Sequence, residues 1–554
     1  MQKLIISFAL IFICNFHDSI MAQFSHGGWP YTVSHSSNLK SLQVAKSIRL
    51  PLVNNQQERY LADSISKNSG FVRHTFYGKG IDLDVNLKSS SPVILSNGNK
   101  LWLYHVQSET AYAMQFYFDS FSIPQGATLF FYNEEKDMVL GAFTSANNNS
   151  NKDFGTQFIK GNSIYIEYME PANPEFSGEL HIFKAIHVFR ELFKSGPYGQ
   201  SGSCNFDVRC SLGNGWDKEI ASVALILSYD AKNNRAAWCS GALLNNTNID
   251  GTAFFLSARH CADTTRMSEG FSKQKFNYST WVFLFNYQDT ICNNTSTIKY
   301  PISSVYGASL LAADYNGSLT SDYLLLKLNA TSDELSSYGV AYAGWETNEQ
   351  NALASPYAIC IHHPSGDVKK ISKDNNSPVS ADYDKNQPYY WQVTWNFGTT
   401  EYISSGSPLF NSNHRIIGQL YGGGADCANP QNSDYFGKLS LSWVNGHLAE
   451  WLDPQGSNAT YLDTYQPNSA PVQPSRYLIN PNPSGGRFYI VKSDKTIKNP
   501  VSIKIINSIG KVVKQLSYNV LINNEIDLSN EPKGLYLIQI DTGNGVDVEK
   551  LLIL

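Results

Sequence analysis

The chain has 554 residues, a length that indicates several domains rather than one. Hydrophobic residues make up 42% and aromatic residues 13% of it, which is typical of β-rich globular domains and excludes a disordered chain. The formal net charge is only -5 and no long basic run occurs, so nucleic acid is not an expected partner.

Residues 1–22 are predicted to be a secretory signal peptide. Lys3 gives a positive start, residues 4–13 form a short apolar core, and the cut is predicted before Gln23. The apolar core is too short to span a bilayer, and no later segment is long and apolar enough for a membrane helix. We therefore expect a secreted or cell-surface protein.

Residues 23–194 are predicted to form a β-rich region of their own, an antiparallel β-sandwich. Alternating or apolar runs recur there, separated by turn residues, at 100–106, 112–118, 127–132, 163–168 and 180–188. No set of His, Asp and Ser residues stands out. Because the region precedes the candidate catalytic segment, we interpret it as a pro-domain that assists folding and masks the site. A substrate-binding module is the alternative.

The next region, residues 199–454, contains a candidate nucleophile. Ser405 lies among turn-forming residues (403–408), ahead of an apolar, strand-like run at 416–421. A serine hydroxyl needs a base to take its proton and N–H donors to hold the oxyanion that it generates. Successive backbone N–H groups of a turn can supply those donors. Alone, such a stretch is more often a surface turn, so the prediction depends on whether the chain also supplies the base.

A candidate base and a group to orient it lie upstream. His260 follows the apolar run 253–258, and Asp322 leads directly into the apolar run 323–328. A carboxylate at the start of a buried strand is costly unless it has a partner. The order His, Asp, Ser is that of the chymotrypsin-like proteases, so we predict these residues as a triad. Two other carboxylates could orient the histidine instead, Asp314 and Asp263.

From about residue 201 to residue 452 the sequence resembles bacterial lysyl endopeptidase, a family of secreted chymotrypsin-fold serine proteases that cleave after lysine. The similarity covers a little under half of the chain. It runs through Ser-Gly-Ser-Cys (201–204), residues 256–261 and 320–329, Ala-Gly-Trp (343–345), Ile-His-His-Pro (361–364), residues 404–408 and Gly-Gln-Leu (418–420). The resemblance implies two six-stranded β-barrels with the triad in the cleft between them. We expect protein or peptide substrates, no cofactor, no metal and a monomer.

Eight cysteines are present, of which Cys14 lies in the signal segment and seven lie in the protease-like region. No CxxC pair occurs, which argues against zinc ribbons and favours disulfides in an exported domain. One cysteine, Cys360, lies in an apolar run and is expected to be a buried, inert thiol. The resemblance implies three disulfides: Cys204–Cys427, Cys210–Cys292 and Cys239–Cys261.

The resemblance also implies a lysine pocket. Asp434 matches the lysine-binding Asp of the family, and a pocket that selects cations needs a fixed anion. Asp426 is the alternative, although a role in a surface loop is expected for it. The family stacks a His on a Trp beside the site; here Tyr421 replaces the His, and Tyr383 is predicted to replace the Trp. A snug pocket closed by Tyr421 should favour Lys over Arg, because arginine is a wider planar fork. A broader Lys/Arg preference is the alternative.

Two departures concern the nucleophile loop. The backbone N–H groups of Ser405 and Ile403 would hold the oxyanion, but position 403 is usually Gly, and a β-branched residue disfavours a positive φ. The second donor is therefore in question, and a catalytically impaired protease fold used as an adhesin stays open. Ser404 stands where trypsin-like enzymes carry an Asp that pairs with a new N-terminus. The lysyl endopeptidases share this serine, so activation by N-terminal insertion is not expected.

Two further features of this region are a histidine pair and a candidate processing site. His362 and His363 are neighbours on a strand and so point to opposite faces, which argues against a metal pair. Lys194 is the last basic residue before Ser201 to Cys204 and lies in a Gly- and Pro-bearing stretch, so we predict a maturation cut there. The family alignment places the mature start near Gly199.

Residues 463–476 are rich in Pro, Ser, Gln and Asn and are predicted to be a linker. Residues 477–554 then form a small Ig-like β-domain that resembles the C-terminal sorting domain of the type IX secretion system. The match lies in the Asn-Pro-Asn-Pro start (480–483), Lys-Gly-Leu-Tyr (533–536) and the basic-apolar tail. It implies export with the secretion machinery as a partner. A generic Ig-like stalk is the alternative.

Overall fold

The computed structural model describes residues 28–34, 46–68, 75–191, 201–230, 233–262, 278–289, 291–292, 303–314, 321–382, 388–467, 477–480, 484–492, 502–507, 511–517, 525–541 and 546–553. Strands dominate this part of the chain, so the prediction of a mainly β fold is confirmed. None of the helices described in these ranges is both long and apolar enough to cross a membrane.

Two sheets of the N-terminal region enclose one apolar core. The elements described there are α1 (Tyr31–Ser34), β1 (Lys46–Arg49), α2 (Asn55–Asn68), β2 (Thr75–Asn86), β3 (Val93–Ile94), β4 (Lys100–Gln107), β5 (Ala113–Ser122), β6 (Thr128–Asn133), β7 (Val139–Phe143), β8 (Phe154–Gly155), β9 (Ile159–Lys160), β10 (Ser163–Glu170) and β11 (Glu179–Val188). One sheet has the order β1-β4-β10-β6-β7, and the other contains β2-β11-β5-β8. Trp102 from the first sheet and Phe116 and Phe118 from the second lie in the shared core. Two sheets packed face to face in this way form a β-sandwich.

The next strands close into a barrel. After the short strand β12 (Phe206–Asp207), which belongs to the second sheet, they are β13 (Val223–Asp230), β14 (Arg235–Leu244), β15 (Phe254–Ala258), β16 (Val282–Phe285), β17 (Ser303–Tyr306), β18 (Ala308–Ala313) and β19 (Tyr323–Leu328), with helices α3 (Asp217–Ser222) and α4 (Ser332–Ser337). Pairing runs β17-β16-β13-β14-β15-β19-β18. Gly307 alone separates β17 from β18, with a φ of 81°, so one continuous run of chain supplies both ends of the sheet. Phe255, Phe283 and Leu326 fill the interior.

The N-terminal sheet continues into this barrel, which the sequence did not predict. Strand β2 pairs antiparallel with β14, with Lys79 opposite Arg235. Tyr77 stacks on Trp238 with 4.5 Å between ring centroids. The buried Arg235 guanidinium lies 2.5 Å from a carboxylate oxygen of Glu58 in α2. Backbone pairing, aromatic stacking and a buried ion pair therefore join the two regions.

A second sheet follows and packs against the first barrel. Its elements are β20 (Gly344–Glu346), α5 (Glu349–Leu353), β21 (Ala358–His362), β22 (Lys370–Asp374), β23 (Val379–Ala381), β24 (Tyr390–Val393), β25 (Pro408–Asn411), β26 (Arg415–Gly423), β27 (Asp434–Lys438), α6 (Leu439–Asn445), α7 (Ala449–Leu452) and β28 (Tyr461–Leu462). The order is β12-β22-β21-β25-β26-β27-β24-β23. Leu256 and Leu325 of the first half share a core with Ile359 and Phe410 of the second. The candidate site lies on the loops that connect these strands.

The C-terminal region contains two small sheets around a separate core. Its strands are β29 (Tyr477–Asn480), β30 (Arg487–Lys492), β31 (Ser502–Asn507), β32 (Val512–Ser517), β33 (Ile526–Asp527), β34 (Gly534–Asp541) and β35 (Val546–Ile553). The orders are β29-β30-β33 and β32-β31-β34-β35. Phe488 and Ile490 of the first sheet share a core with Ile503, Ile538 and Leu551 of the second. The chain thus buries a further apolar core after residue 477.

Candidate active site

Ser405 lies in the loop between β24 and β25 and is half-buried. Its carbonyl oxygen accepts a hydrogen bond of 2.9 Å from the backbone N–H of Ser240 on β14, which ties the loop to the first barrel. Gly406 follows with a φ of 80°, and a Cβ there would come within 2.5 Å of the Ser240 carbonyl oxygen. Both the left-handed backbone and the close approach require glycine next to the candidate nucleophile.

The pairing of β15 with β19 brings His260 and Asp322 together. Ala258 at the end of β15 lies opposite Tyr323 at the start of β19, so His260 and Asp322 meet at that edge. Asp322 Oδ2 lies 2.6 Å from His260 Nδ1, and Asp322 Oδ1 accepts a bond of 3.1 Å from the His260 backbone N–H. Both residues are buried. The carboxylate thus fixes the position of the ring through two contacts.

This contact also determines what the other ring nitrogen can do. An ionised carboxylate only accepts hydrogen bonds, so Nδ1 of His260 carries the proton and Nε2 is an acceptor. Nε2 is buried and has no hydrogen-bond partner among the described residues. An oriented imidazole with an open acceptor nitrogen is suited to take a proton from a nearby hydroxyl.

Of the three carboxylates considered from the sequence, Asp322 is the one that contacts His260 in the described part of the chain. Asp322 has a φ of 52°, in the left-handed region that aspartate tolerates better than most residues. Asp314 is buried after β18, and its backbone N–H donates to the Tyr323 carbonyl at 3.2 Å. Asp263 lies outside the described residues.

The Ser405 loop and the turn that carries His260 lie against each other. The backbone carbonyl of Ser405 is 3.8 Å from Sγ of Cys261, the residue after His260. Cys261 is disulfide-bonded to Cys239, next to Ser240, the residue that donates to Ser405. The disulfide therefore links the two segments that position His260 and Ser405.

Ile403 adopts the positive φ that its β-branched side chain should oppose, with a value of 80°. Tyr402 O accepts a bond of 2.7 Å from the Ser365 N–H, which fixes the peptide between residues 402 and 403. In a trans peptide the N–H points opposite to the carbonyl, so the N–H of Ile403 points away from Ser365. Neither this N–H nor that of Ser405 donates to another backbone group in the described part of the chain.

The Ile403 side chain explains how this conformation is stabilised. It is 3% exposed and lies in the apolar cluster that contains Trp238, Val368 and Tyr77. A left-handed non-glycine residue costs of order 1–3 kcal/mol. Burial of an isoleucine side chain contributes about 1.5–3 kcal/mol, so packing offsets the strain.

Asp434 is the first residue of β27 and is fully buried, with a hydrogen-bonded carboxylate. Its Oδ2 accepts from Trp395 Nε1 at 2.6 Å and from Thr400 Oγ1 at 2.7 Å. Its Oδ1 accepts from the Ala425 N–H at 3.3 Å. Burial raises the pKa of Asp434 to about 6, although these donors act in the opposite direction. The three contacts leave the buried anion without a cationic partner among the described residues.

The alternative carboxylate has a different setting. Asp426 is exposed, and its Oδ1 accepts from the backbone N–H groups of Ala428 and Asn429 at 2.9 and 2.7 Å. That pattern is an Asx turn in a surface loop. Gly423 on β26 lies beside the buried Asp434, where a Cβ would come within 2.2 Å of its Oδ1. Side-chain-free backbone therefore borders Asp434, whereas Asp426 stabilises a turn.

Tyr421 packs between the candidate base and a second tyrosine. Its ring is edge-on to His260 at 6.1 Å between centroids and tilted against Tyr390 at 5.0 Å. Tyr383, predicted to be its partner, lies outside the described residues, and so does Lys194. The sequence analysis did not single out Tyr390.

The structure contains the three disulfides that the resemblance implied: Cys204–Cys427, Cys210–Cys292 and Cys239–Cys261. Cys360 is a buried free thiol on β21, and burial raises its pKa well above the usual value. A protonated, inaccessible thiol is unreactive, as predicted for this residue.

The segment that begins the protease-like region is anchored next to the nucleophile loop. Ser201 Oγ donates to Asp367 Oδ2 at 2.6 Å, and the Gly202 N–H donates to Glu401 Oε1 at 2.9 Å. The residues before it, 192–200, and the predicted signal peptide are not described. Cys204–Cys427 fastens this segment to the loop that precedes β27.

Trp395 and Thr400, which hold Asp434, were missed by the sequence analysis, as was the role of Glu401 as an anchor. All three lie in the stretch of chain between β24 and Ser405, where no periodic pattern indicates a direction for any side chain. A cluster of hydroxyl, indole and carboxylate groups just before a candidate nucleophile is the one signal present. That signal alone does not identify partners that lie on β27 or near residue 202.

Two family models match the chain. Residues 198–437 match the lysyl endopeptidase C-terminal domain, and residues 478–554 match the secretion system C-terminal sorting domain. Lysyl endopeptidase from Pseudomonas aeruginosa is 30% identical over 325 residues, which are 55% of this chain. The chain spans 64% of the length of that relative. The resemblances stated from the sequence are confirmed by these matches.

Solved structures of serine proteases are also similar. A thermostable serine protease, AL20, from an extremophilic microorganism is 15% identical and has a TM-score of 0.29; the match covers 42% of this chain and 98% of that one. HtrA-type protease AlgW with a tripeptide is 8% identical, with 62% and 96% covered and a TM-score of 0.30. These values are too low to add to the assignment. By its sequence matches, the chain is similar to lysyl endopeptidase over residues 198–437 and to the secretion system C-terminal sorting domain over residues 478–554.

Proposed function

We propose that the protein is a serine endopeptidase that hydrolyses peptide bonds after lysine through an acyl-enzyme. The observation that carries the proposal is the His260 imidazole, bonded through Nδ1 to Asp322, with an open Nε2 beside the Ser405 loop. The similarity of residues 198–437 to the lysyl endopeptidases supports a serine endopeptidase.

The first half of the proposed reaction forms the acyl-enzyme. His260 Nε2 takes the Ser405 proton as the hydroxyl oxygen attacks the scissile carbonyl carbon, and Asp322 stabilises the imidazolium. The N–H groups of Ile403 and Ser405 stabilise the oxyanion, which is the largest single contribution in this kind of catalysis. His260 then gives its proton to the leaving amine, and an ester remains on Ser405.

The second half releases the acyl group. His260 takes a proton from water as the water attacks the ester carbonyl, and the same two N–H groups hold the second oxyanion. Collapse returns the proton from His260 to Ser405 and frees the new carboxylic acid, which loses its remaining proton to solvent. No metal or cofactor enters either half.

Lysine selection rests on Asp434. This carboxylate is fully buried and, among the described residues, accepts from neutral donors only, so a lysine ammonium would supply the missing countercharge. Gly423, which has no side chain, lies beside the Asp434 carboxylate. The exposed Asp426 would offer an ammonium only a screened surface contact. A broader Lys/Arg preference remains the alternative.

Loss of the nucleophile tests the reaction class. Ser405→Ala should abolish hydrolysis, because loss of the attacking group costs on the order of 10⁶ in kcat. Ser407→Ala is the matched control, since it removes a neighbouring hydroxyl that is buried next to the Cys360 thiol. A serine-directed phosphonylating probe should label the wild type but not Ser405→Ala. Absence of labelling in the folded wild type would favour the adhesin alternative.

For the flanking regions we propose roles in maturation and export. The sorting-domain match over 478–554 supports passage through a type IX secretion system, with the signal peptide of residues 1–22 used first. Residues 23–194 would assist folding as a pro-domain, which is supported by the sheet that they share with β14. Deletion of residues 477–554 should trap active enzyme inside the cell envelope, and secretion of the deleted form at wild-type levels would contradict the role.

A further inference from the structure

A buried hydrogen-bond chain lies directly behind the nucleophile loop. His362, the last residue of β21, is fully buried, and both of its ring nitrogens have partners. Nδ1 lies 2.7 Å from Ser404 Oγ, and Nε2 lies 3.1 Å from Ser372 Oγ on β22. Ser404 is the residue between Ile403 and Ser405, the two candidate oxyanion donors.

The neighbouring bonds determine which nitrogen carries the proton. Ser372 Oγ donates to the Thr399 carbonyl at 2.8 Å, so it must accept from the imidazole, and Nε2 is protonated. Nδ1 is then an acceptor and accepts a hydrogen bond from the Ser404 hydroxyl. Ser404 Oγ in turn accepts from the Glu401 N–H at 3.2 Å. With this tautomer the hydroxyl protons of Ser372 and Ser404 both have an acceptor.

We propose that His362 is a positioning residue for the oxyanion loop, which holds the Ser404 hydroxyl and thereby fixes the peptide groups of Ile403 and Ser405. This inference rests on the proposed endopeptidase function. Preorganised donors stabilise an oxyanion because they need not reorient during the reaction. A positioning role therefore predicts an effect on the chemical step rather than on substrate binding.

The bonds around Ser404 show why its hydroxyl is decisive. Its N–H donates to the Glu401 carbonyl at 3.1 Å, and its own carbonyl accepts from the Ser407 N–H at 3.0 Å. With its hydroxyl held by His362 at 2.7 Å, all polar groups of Ser404 are paired. Removal of the imidazole leaves a buried hydroxyl without an acceptor, which favours a shift of the loop.

The imidazole acts as a neutral group. Burial, together with the charge of Lys370, lowers the pKa of His362 to about 3. Because all groups in this hydrogen-bond chain are neutral, Ser404 needs no ammonium partner, whereas a buried carboxylate at position 404 would need one.

Three substitutions at position 362 distinguish the role of the Nδ1 hydrogen bond from that of the Nε2 hydrogen bond. His362→Asn places an amide oxygen near the position of Nδ1 and should keep the Ser404 bond, whereas His362→Gln reaches toward Ser372 and His362→Ala makes neither bond. Ser404→Ala removes the hydroxyl itself and covers the case in which His362→Ala does not fold. For each variant, kcat and KM on a lysine amide substrate and the thermal midpoint are measured. Affinities for a peptidyl lysine aldehyde and for the matching alcohol, which forms no adduct with Ser405, are measured in parallel.

Loss of the Ser404 bond should lower kcat on the order of 10- to 100-fold, less than loss of an entire oxyanion donor. KM and alcohol affinity should stay within about twofold, while aldehyde affinity falls with kcat because the aldehyde adduct places an oxyanion in the site. His362→Asn should restore most of kcat and His362→Gln should not. Equal activity of the Asn and Gln variants, or unchanged kcat in folded His362→Ala, would overturn the inference. Activity that survives in Ser405→Ala would instead overturn the proposed endopeptidase function.

Discussion

Ionisation of Asp434 should make the proposed lysine preference depend on pH in a calculable way. Burial raises the pKa of this carboxyl from 3.8 to about 6 in the free protein. Only the ionised form attracts a lysine ammonium. With that pKa, roughly 99% of Asp434 is ionised at pH 8 and roughly 9% at pH 5. Selection for lysine should therefore fall roughly tenfold as the pH is lowered from 8 to 5.

The assay compares two esters that differ in the side chain before the scissile bond, lysine and leucine. At each pH, kcat/KM is measured for both, and their ratio is plotted. Effects of pH on the proposed chemistry at Ser405 are common to both substrates and cancel in the ratio. Because kcat/KM reports ionisations of the free enzyme, the midpoint of the ratio gives the pKa of Asp434.

The control is Asp434→Asn, for which the ratio should be low and independent of pH. A ratio that stays constant from pH 8 to pH 5 in the wild type would refute the reasoning. So would a pH-dependent ratio that survives in Asp434→Asn, because another group would then select the cation. Asp426→Asn should leave the wild-type curve unchanged, since Asp426 is exposed and holds a turn.

Four more outcomes follow from the same contacts. In the free enzyme the raised pKa means that ionised Asp434 destabilises the fold above pH 6, by about 3 kcal/mol for a shift of about two units. Asp434→Asn should therefore raise the thermal midpoint at pH 8, with the difference shrinking toward pH 4; a lower midpoint at pH 8 would contradict this sign. Ile403→Ala removes most of the side chain that packs in the apolar cluster, so the free energy of unfolding measured in urea should fall by about 2–5 kcal/mol; Ile403→Val is the milder control. Ile403→Gly should not raise kcat, because Tyr402 and Ser365 already orient the 403 N–H; faster turnover would show a misaligned donor. A Lys194→Ala precursor should still react with a phosphonylating probe, and no reaction would show that a cut is needed to form the site.

The order of the chemical groups is a property of the sequence alone. His260 and Asp322 flank apolar runs that can only be buried strands, and Ser405 lies in a turn before another. Local residue types therefore indicate which candidate residues lie at the ends of strands. The one-to-one pairing of β15 with β19 then brings two of them, His260 and Asp322, together. Family similarity supplied the disulfides, which spacing by itself left undetermined.

The sequence predicted less well wherever the decisive interaction is between residues far apart in the chain. Ile403 illustrates this: its branched side chain argues against a positive φ, but the apolar cluster around Trp238 and Val368 stabilises that conformation. Local propensity measures the cost, whereas the offsetting packing depends on residues 165 positions (Trp238) and 35 positions (Val368) away in the chain.

The histidine pair and the N-terminal region show the same limit. Strand alternation predicts that His362 and His363 face opposite sides. In the structure β21 ends at His362, and only the packing of β21 against β22 and the 399–405 loop reveals that His362 bonds Ser404. The sequence predicts a domain boundary near residue 194. In the structure, however, β2 of the N-terminal region pairs with β14 and extends its sheet. Strand pairing uses backbone groups that every residue carries, so the sequence specifies that a strand exists while the tertiary structure decides its neighbour.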